Sequence, residues 1–365
     1  MTTIIIGAGA SGLACAIRLK QNIPSQKVVI LERLSQAGKK ILATGNGRCN
    51  LTNEKADNCK EVISFFNDLG LITRTDDEGR VYPYSNTAVT VLETLLDGCD
   101  KSGVEIVTDC AVKAVTPQLE VKTSKGSYKA DSVVIAAGGK AQSSLGSDGS
   151  GLEILKSLGH TITPLSPSLV QLKSPSKYPR KLKGHRAKCK MALLLNDEIV
   201  SKEYGEVLFT DYGLSGIVTM NLSRLAGINF AKKQPEKCHA VLDLVPEISE
   251  NDLLNHIEKH GSLKGILGSR LNDIIEAQAK SDKEKTAHYA KNWKLIINGT
   301  KGFDFAQITC GGADTNEFDG YRSKIVPNLY ACGEVLDRQF DCGGFNLDFA
   351  WHSGIAAADQ ISDNI

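Results

Sequence analysis

Residues Thr3–Ile17 read TIIIGAGASGLACAI. An apolar, β-branched run passes straight into Gly7, Gly9 and Gly12 at G-x-G-x-x-G spacing and then into an apolar helical pattern, which predicts strand, tight turn and helix. In this arrangement Gly7 makes the turn, Gly9 lets the backbone approach a pyrophosphate, and Gly12 lets the helix pack closely on the strand. Free N–H groups at the helix start, around Ala10 and Ser11, and the positive end of the helix dipole supply the anion binding without a cationic side chain.

Glycine pairs recur by chance in turns, so a dinucleotide site also requires a second strand and an acid at its end. Lys27–Leu31 (KVVIL) predicts a buried parallel strand, and it ends in Glu32, where a ribose-binding acid is expected about 20 residues beyond the last glycine. A carboxylate there accepts from ribose hydroxyls and repels a 2′-phosphate. The dinucleotide is therefore FAD or NAD rather than NADP.

The chain has 365 residues, long enough for two domains or one with a large insertion. With 43 basic against 42 acidic residues no global field points to nucleic acid or a membrane surface. The start of the chain lacks a charged and apolar leader, and no segment has the apolar length of a membrane span, so a cytoplasmic location without membrane association is expected. Its 10 cysteines are scattered and form no C-x-x-C pair, which argues for reduced thiols and against a disulfide reductase or a zinc site.

Gly38–Asn53 (GKKILATGNGRCNLTN) reads as a second ligand-facing loop: Gly45 and Gly47 permit unusual backbone angles, Lys39, Lys40 and Arg48 bring charge, and Asn46, Asn50 and Asn53 bring amides. An exposed Asn/Gly connection would look similar. Helical spacing comes next at Glu61–Leu69 and at Ala88–Lys101, the latter with Val89, Leu92, Leu95 and Leu96 on one face. Short strands are expected at Val104–Thr108 and at Ala111–Val115, the second placing Val112 beside the adenine, then a hairpin over Glu120–Lys129. Asp131–Gly139 predicts a buried strand whose end, Ala137 and Gly138, passes close to the cofactor or merely turns. Gly146–Gly151 opens a helix with Leu152, Leu155 and Leu158 inward.

Composition changes at Thr161, where prolines punctuate the chain and strand-like alternation appears at Ala187–Leu195. Between Glu153 and Asp197 there is no acidic residue but there are basic ones throughout, densest over 173–190. Such a stretch engages a phosphate backbone or forms the wet face of a strand, since Lys188 and Lys190 alternate with Cys189 and Met191. Ser249 and Asp252 begin a helical region that continues through Leu263–Ile275 and Lys280–Lys291, and buried-strand character returns at Phe305–Thr309.

The second anchor is Leu329–Ile361, LYACGEVLDRQFDCGGFNLDFAWHSGIAAADQI. A strand ending in Gly333 and Glu334, a glycine turn and a final helix decide FAD over NAD, because an acid after the glycine holds the ribityl and phosphate region and the helix N-terminus stabilises an anionic reduced flavin. Together with TGNGRCNLTN, VIAAGG, GSDGSG, GEVLFTDYGLSG and ITCGGA, this closing motif resembles the HI0933-like flavoproteins, from Thr3 to Ile361.

The resemblance implies an α/β fold: a glutathione-reductase-like, two-dinucleotide-type Rossmann domain from 1–160 and 299–365, interrupted by a β-rich domain at 161–246 and a small helical one at 247–298. It implies that Gly7, Gly9, Ala10, Ser11, Gly12, Glu32 and Arg33 hold the ADP half of FAD. Gly45, Asn46, Arg48, Cys49 and Asn50 resemble the loop along the flavin, and Ala137 and Gly138 the strand end beneath it. Gly333, Glu334, Gly344, Phe345, Asn346 and Leu347 resemble the ribityl and ring contacts. Ile217 and Phe345 stand where the family usually has proline and tyrosine.

The expected chemistry is FAD-dependent reduction of an activated C=C bond by hydride transfer, with NAD(P)H as a transient donor. Cys49 is the first candidate for the proton donor, its thiol pKa lowered by Arg48, with Cys342 and His352 behind it. Uridine in ribosomal RNA, held by the basic stretch, is one expected substrate. A small-molecule enone reductase or amine oxidase and a non-catalytic, flavin-containing RNA-binding protein are the alternatives.

Overall fold

The computed structural model describes residues 1–364. It divides into two compact units, Met1–Leu165 with Ile308–Ile365, and Ser166–Gln307. The first is built on a parallel sheet. β1 (Thr2–Ile6) pairs on one side with β2 (Lys27–Leu31) and on the other with the strand Ser132–Ile135; Glu105–Val107 extends the sheet beyond β2, and Leu329–Ala331 beyond Ser132–Ile135. A short antiparallel hairpin, Phe318–Asp319 and Arg322–Ser323, finishes that edge.

These strands are apolar throughout because both faces are covered, as in buried parallel sheets generally. Ile5, Val28, Ile30, Val134 and Tyr330 point into one core, shared with α1 (Ala10–Asn22) and the closing helix Phe345–Asp363. Their alternates Ile4, Ile6, Val29, Val133, Ile135 and Leu329 point into a second core with the helix Ser150–Ser157. The parallel strands all end at one edge, so Gly7, Glu32, Ala136–Gly139 and Gly333–Glu334 emerge side by side although they lie far apart in sequence.

The second unit carries an antiparallel sheet in the order Trp293–Ile297, Cys238–Asp243, Arg186–Leu195, Glu198–Phe209, Gly213–Ser215, Leu172–Lys173, Gly299–Thr300. Four helices, Ile217–Ala231, Glu250–His260, Ser269–Ala279 and Lys283–Lys291, share its core. Ser249 caps the second of these by accepting from the Asp252 N–H.

Four expectations shift. Val89 is exposed rather than inward, because it lies about 100° round the helix from the buried face, which Ala88, Val91 and Cys99 form with Leu92 and Leu95. Phe305 belongs to a 3-10 turn, Phe303–Phe305, and the strand begins only at Ile308. Leu263 and Leu267 are buried in a turn before their helix starts at Ser269. Residues 299–307, expected with the first unit, group with the second, where Gly299–Thr300 pairs with Leu172–Lys173.

The edge hairpin is tied down by a buried polar relay. His160 stacks on Phe318 with ring centroids 4.6 Å apart; its Nδ1 lies 3.1 Å from Glu317 Oε2 and its Nε2 2.9 Å from Ser323 Oγ. Ser323 Oγ already accepts from the Ile325 and Val326 N–H groups, so its own hydrogen is left for His160 Nε2, and the His160 Nδ1–H donates to Glu317. Burial holds the imidazole below its ordinary pKa. Hydrogen bonding from Thr161, and then from His160, holds the Glu317 carboxyl below the usual range.

Both depressed groups bind more protons in the unfolded chain, so both contribute stability at neutral pH that is lost on acidification. Unfolding free energy is expected to fall as pH drops below about 6.5, and again through the carboxylate range. Chemical denaturation across pH checks this: His160→Gln should flatten the upper part of the profile and cost about 2 kcal/mol at neutral pH. A variant with the wild-type slope would remove the relay's role.

Candidate functional site

The three glycines of the first turn occupy different surroundings. A Cβ on Gly7, whose φ is +108°, would lie 2.6 Å from Ala136 O, and one on Gly12 would lie 2.0 Å from Gly7 O. Around Gly9 no atom lies within 4 Å of such a Cβ, and its φ of −88° suits any residue. Gly7 and Gly12 are thus required by the protein's own packing, while Gly9 faces open space. α1 has no side-chain cap and no acid in its first turn, where Ala10 and Ser11 leave N–H groups toward that space. The donor set suits a diphosphate.

Glu32 is buried and oriented by two backbone donors, Ala8 N–H to Oε2 at 2.9 Å and Leu34 N–H to Oε1 at 2.8 Å. Each carboxylate oxygen keeps a lone pair for a ribose hydroxyl. Arg33 reaches Asp148 Oδ2 at 2.7 Å and Ser143 O at 3.0 Å, and its buried Nε has no protein partner. Val112 lies in a three-stranded antiparallel meander outside the main sheet, half-buried against the second core.

The closing motif meets the first turn at Ser11. Its Oγ is 3.4 Å from Cys332 O, a Cβ on Gly333 would lie 2.4 Å from it, and one on Gly354 would lie 2.2 Å from Ser11 O. Glu334 Oε1 accepts from the Thr309 N–H at 2.7 Å, and Oε2 pairs with Lys40 Nζ at 3.0 Å. Lys40 also donates to Ala141 O, and Thr309 Oγ1 accepts from the Lys140 and Ala141 N–H groups. The loop holding Gly138, with φ +71°, is therefore fixed from both sides. Sequence reasoning misses Lys40 and Thr309 as holders of Glu334; Lys40 is 294 positions from its partner, and no local pattern announces the pair.

In the TGNGRC loop, Gly45, Asn46 and Cys49 all take left-handed backbone angles near +55°, which explains the Gly and Asn there. Asn50 packs where a Cβ on Gly45 would lie, 3.1 Å from its Oδ1. Arg48 lies over the Tyr82 ring at 4.9 Å, and its Nε donates to Gly45 O. Cys49 is fully buried, and burial pushes its thiol up to about 12. Burial thus moves this thiol upward, where a lowering by Arg48 is expected from the sequence.

The other expected donors differ. Cys342 is half-buried, its thiol also pushed up to about 12 by burial. His352 Nδ1 lies 2.5 Å from Glu61 Oε2. Gly344, with φ +108°, starts the closing helix; Asn346 closes the preceding loop through Phe340 N, Phe340 O and Asp341 O, and Leu347 packs on the first core. Phe345 and His352 line a cavity of about 200 Å³ with Asp348, which Thr52 and Asn58 bind and whose carboxyl burial raises.

Within the second unit, the basic stretch is partly neutralised. Lys183 pairs with Asp211 at 2.6 Å, Arg186 pairs with Glu206, and Lys188 lies over the Tyr204 ring. Arg186, Lys188 and Lys190 share the exposed face of their strand.

The glycine turn, the acid after the second strand and the returning C-terminal motif define a Rossmann-type dinucleotide-binding protein of the flavoprotein oxidoreductase class. The sequence matches the HI0933-like protein Rossmann domain over residues 1–60 and 57–360, and the chain belongs to that family. It is 36% identical over 405 aligned positions, covering 98% of both chains, to the 3-dehydro-bile acid delta(4,6)-reductase of Clostridium scindens. It is 26% identical to the ribosomal RNA dihydrouridine synthase of Escherichia coli, over 98% of this chain and 97% of that one. The fold is similar to 3-ketosteroid delta1-dehydrogenase from Sterolibacterium denitrificans, with TM-score 0.55, 10% identity and both chains fully covered. Among the described residues no helix is long and apolar enough to cross a membrane.

Burial sets thiol reactivity. All ten cysteines are unbridged thiols and nine of them are buried, so a thiol reagent near pH 8 should label at most Cys342 in the native chain and all ten after denaturation. Mass mapping decides the outcome: rapid native labelling of Cys49 would restore it as an accessible group.

Proposed function

We propose that this chain is an FAD-dependent reductase of an activated C=C bond in a small molecule, with an enone as the substrate class. The observation carrying the reading is the open space at Gly9 within an otherwise close-packed turn, flanked by Glu32 and by the Ser11–Gly333 junction. The 36% identity to a bile-acid reductase over nearly all of both chains supports the substrate class. FAD, when bound, supplies the hydride, and reduction of an enone delivers that hydride to the electron-poor carbon and a proton to its neighbour.

The chain's own residues do the rest. The α1 N-terminus and Glu32 would hold the adenosine diphosphate, and Glu334, fixed by Lys40 and Thr309, would offer its remaining lone pairs to the ribityl hydroxyls. The positive end of the closing helix, which starts at Gly344 without a side-chain cap, would favour negative charge on a flavin held there. NAD(P)H would be the transient donor of the electrons. The pairing of Lys183 and Arg186 with carboxylates favours a small substrate over ribosomal RNA.

Gly9→Val separates cofactor binding from folding. A Cβ there meets no protein atom within 4 Å, so the thermal midpoint should stay within a few degrees of wild type while flavin absorbance in the purified protein is lost. Retained flavin would overturn the assignment of the turn.

For the reaction, wild-type protein reduced anaerobically should be reoxidised by a steroid 4-en-3-one or 4,6-dien-3-one, seen as return of oxidised-flavin absorbance and a saturated product. No reoxidation by enones, together with loss of dihydrouridine from ribosomal RNA when the gene is deleted, would replace this reading with the RNA substrate.

A further inference from the structure

The cavity on the closing helix is separate from the dinucleotide turn. Phe345, Asp348, Phe349 and His352 succeed one another at helical spacing and line it, whereas Gly354, which packs on Ser11, lies about two and a half turns from Phe345 and so on the opposite face. Its walls combine aromatic rings with unpaired cations. Phe340 and Phe349 pack with centroids 5.5 Å apart, and the Arg338 guanidinium lies 5.8 Å from the Phe349 ring. Among the described residues neither Arg338 nor Lys55 has a carboxylate within ion-pair distance.

The wall also carries two acids, Asp57 and Asp348, the latter with both oxygens bound, Oδ1 by Thr52 and Oδ2 by Asn58, so a ligand anion is recognised by the free N–H fork of Arg338 and by Lys55 and not by a net positive charge. The walls are fixed: Asn346 clamps the Phe340 backbone, and Asn53 ties Gly343 to the chain entering Lys55. At about 200 Å³ the space holds one ring and a small substituent, and is below the range for drug-sized ligands.

We propose that this cavity is a second ligand site, binding a small aromatic carboxylate with its ring among Phe340, Phe345 and Phe349 and its carboxylate toward Arg338 and Lys55. The planar guanidinium fork matches a carboxylate, and an apolar ring displaces water from the phenylalanine wall. None of the cavity's polar contacts involves the glycine turn, although Phe345 and His352 of its wall stand among the expected flavin-ring contacts and proton donors.

Titration calorimetry of the full chain with 4-bromobenzoate tests it. Binding is expected at millimolar concentration or below, and 4-bromobenzamide, which keeps the ring but not the charge, should bind at least about tenfold more weakly. Arg338→Met should weaken 4-bromobenzoate by a similar factor, and Ala56→Phe, which fills the cavity from its wall, should abolish binding with the thermal midpoint retained. Absence of binding to wild type, equal binding of the amide, or wild-type affinity in either folded variant would overturn the proposal.

Discussion

The first unit depends on a close approach of two helices that begin more than three hundred residues apart. α1 and the closing helix meet at Ser11, where Gly354 and Gly333 leave no room for even one methyl group. That contact does more than fill the core. By bringing the C-terminal strand end against the first turn, it aligns Gly333 and Glu334 with Gly7 and Gly9 at one sheet edge, so the two halves of a dinucleotide site exist only when the chain's ends have joined. Overpacking there would disturb a core and a binding edge at once.

Charge at this edge is held by backbone and buried groups rather than by exposed ion pairs. Glu32 is aimed by two N–H donors and Glu334 by one N–H and one lysine, so neither carboxylate must be reoriented when a hydroxyl-rich ligand arrives. Pre-aimed acceptors lose little side-chain entropy on binding. The surface pairs of the second unit, such as Lys183 with Asp211, are exposed and contribute little to stability.

Much of this is legible in the sequence because its determinants are local. The glycine spacing, the acid at the end of β2 and the capping Ser249 each act within a few residues, and the structure forms those elements as read. What is not legible is what tertiary contact decides. Arg48 adjoins Cys49 in sequence but lies over Tyr82, while the thiol is sealed; Lys40 finds Glu334 across the fold; and Val89 fits an apolar face by spacing yet falls outside the buried face. Phe305 suits a strand by composition, but the glycine before Phe303 opens a 3-10 turn.

The discontinuity of the first unit also sets an order of assembly. Once the chain has been made as far as Gln307 the second unit has the residues of its whole sheet and core, whereas the first still lacks its Leu329–Ala331 strand and the helix that covers α1. The nascent chain therefore carries an exposed strand edge on Ser132–Ile135 and an uncovered apolar groove until Leu329–Ala331 and the closing helix have been made. Such long-range closure is slow and leaves apolar surface exposed to aggregation in the meantime.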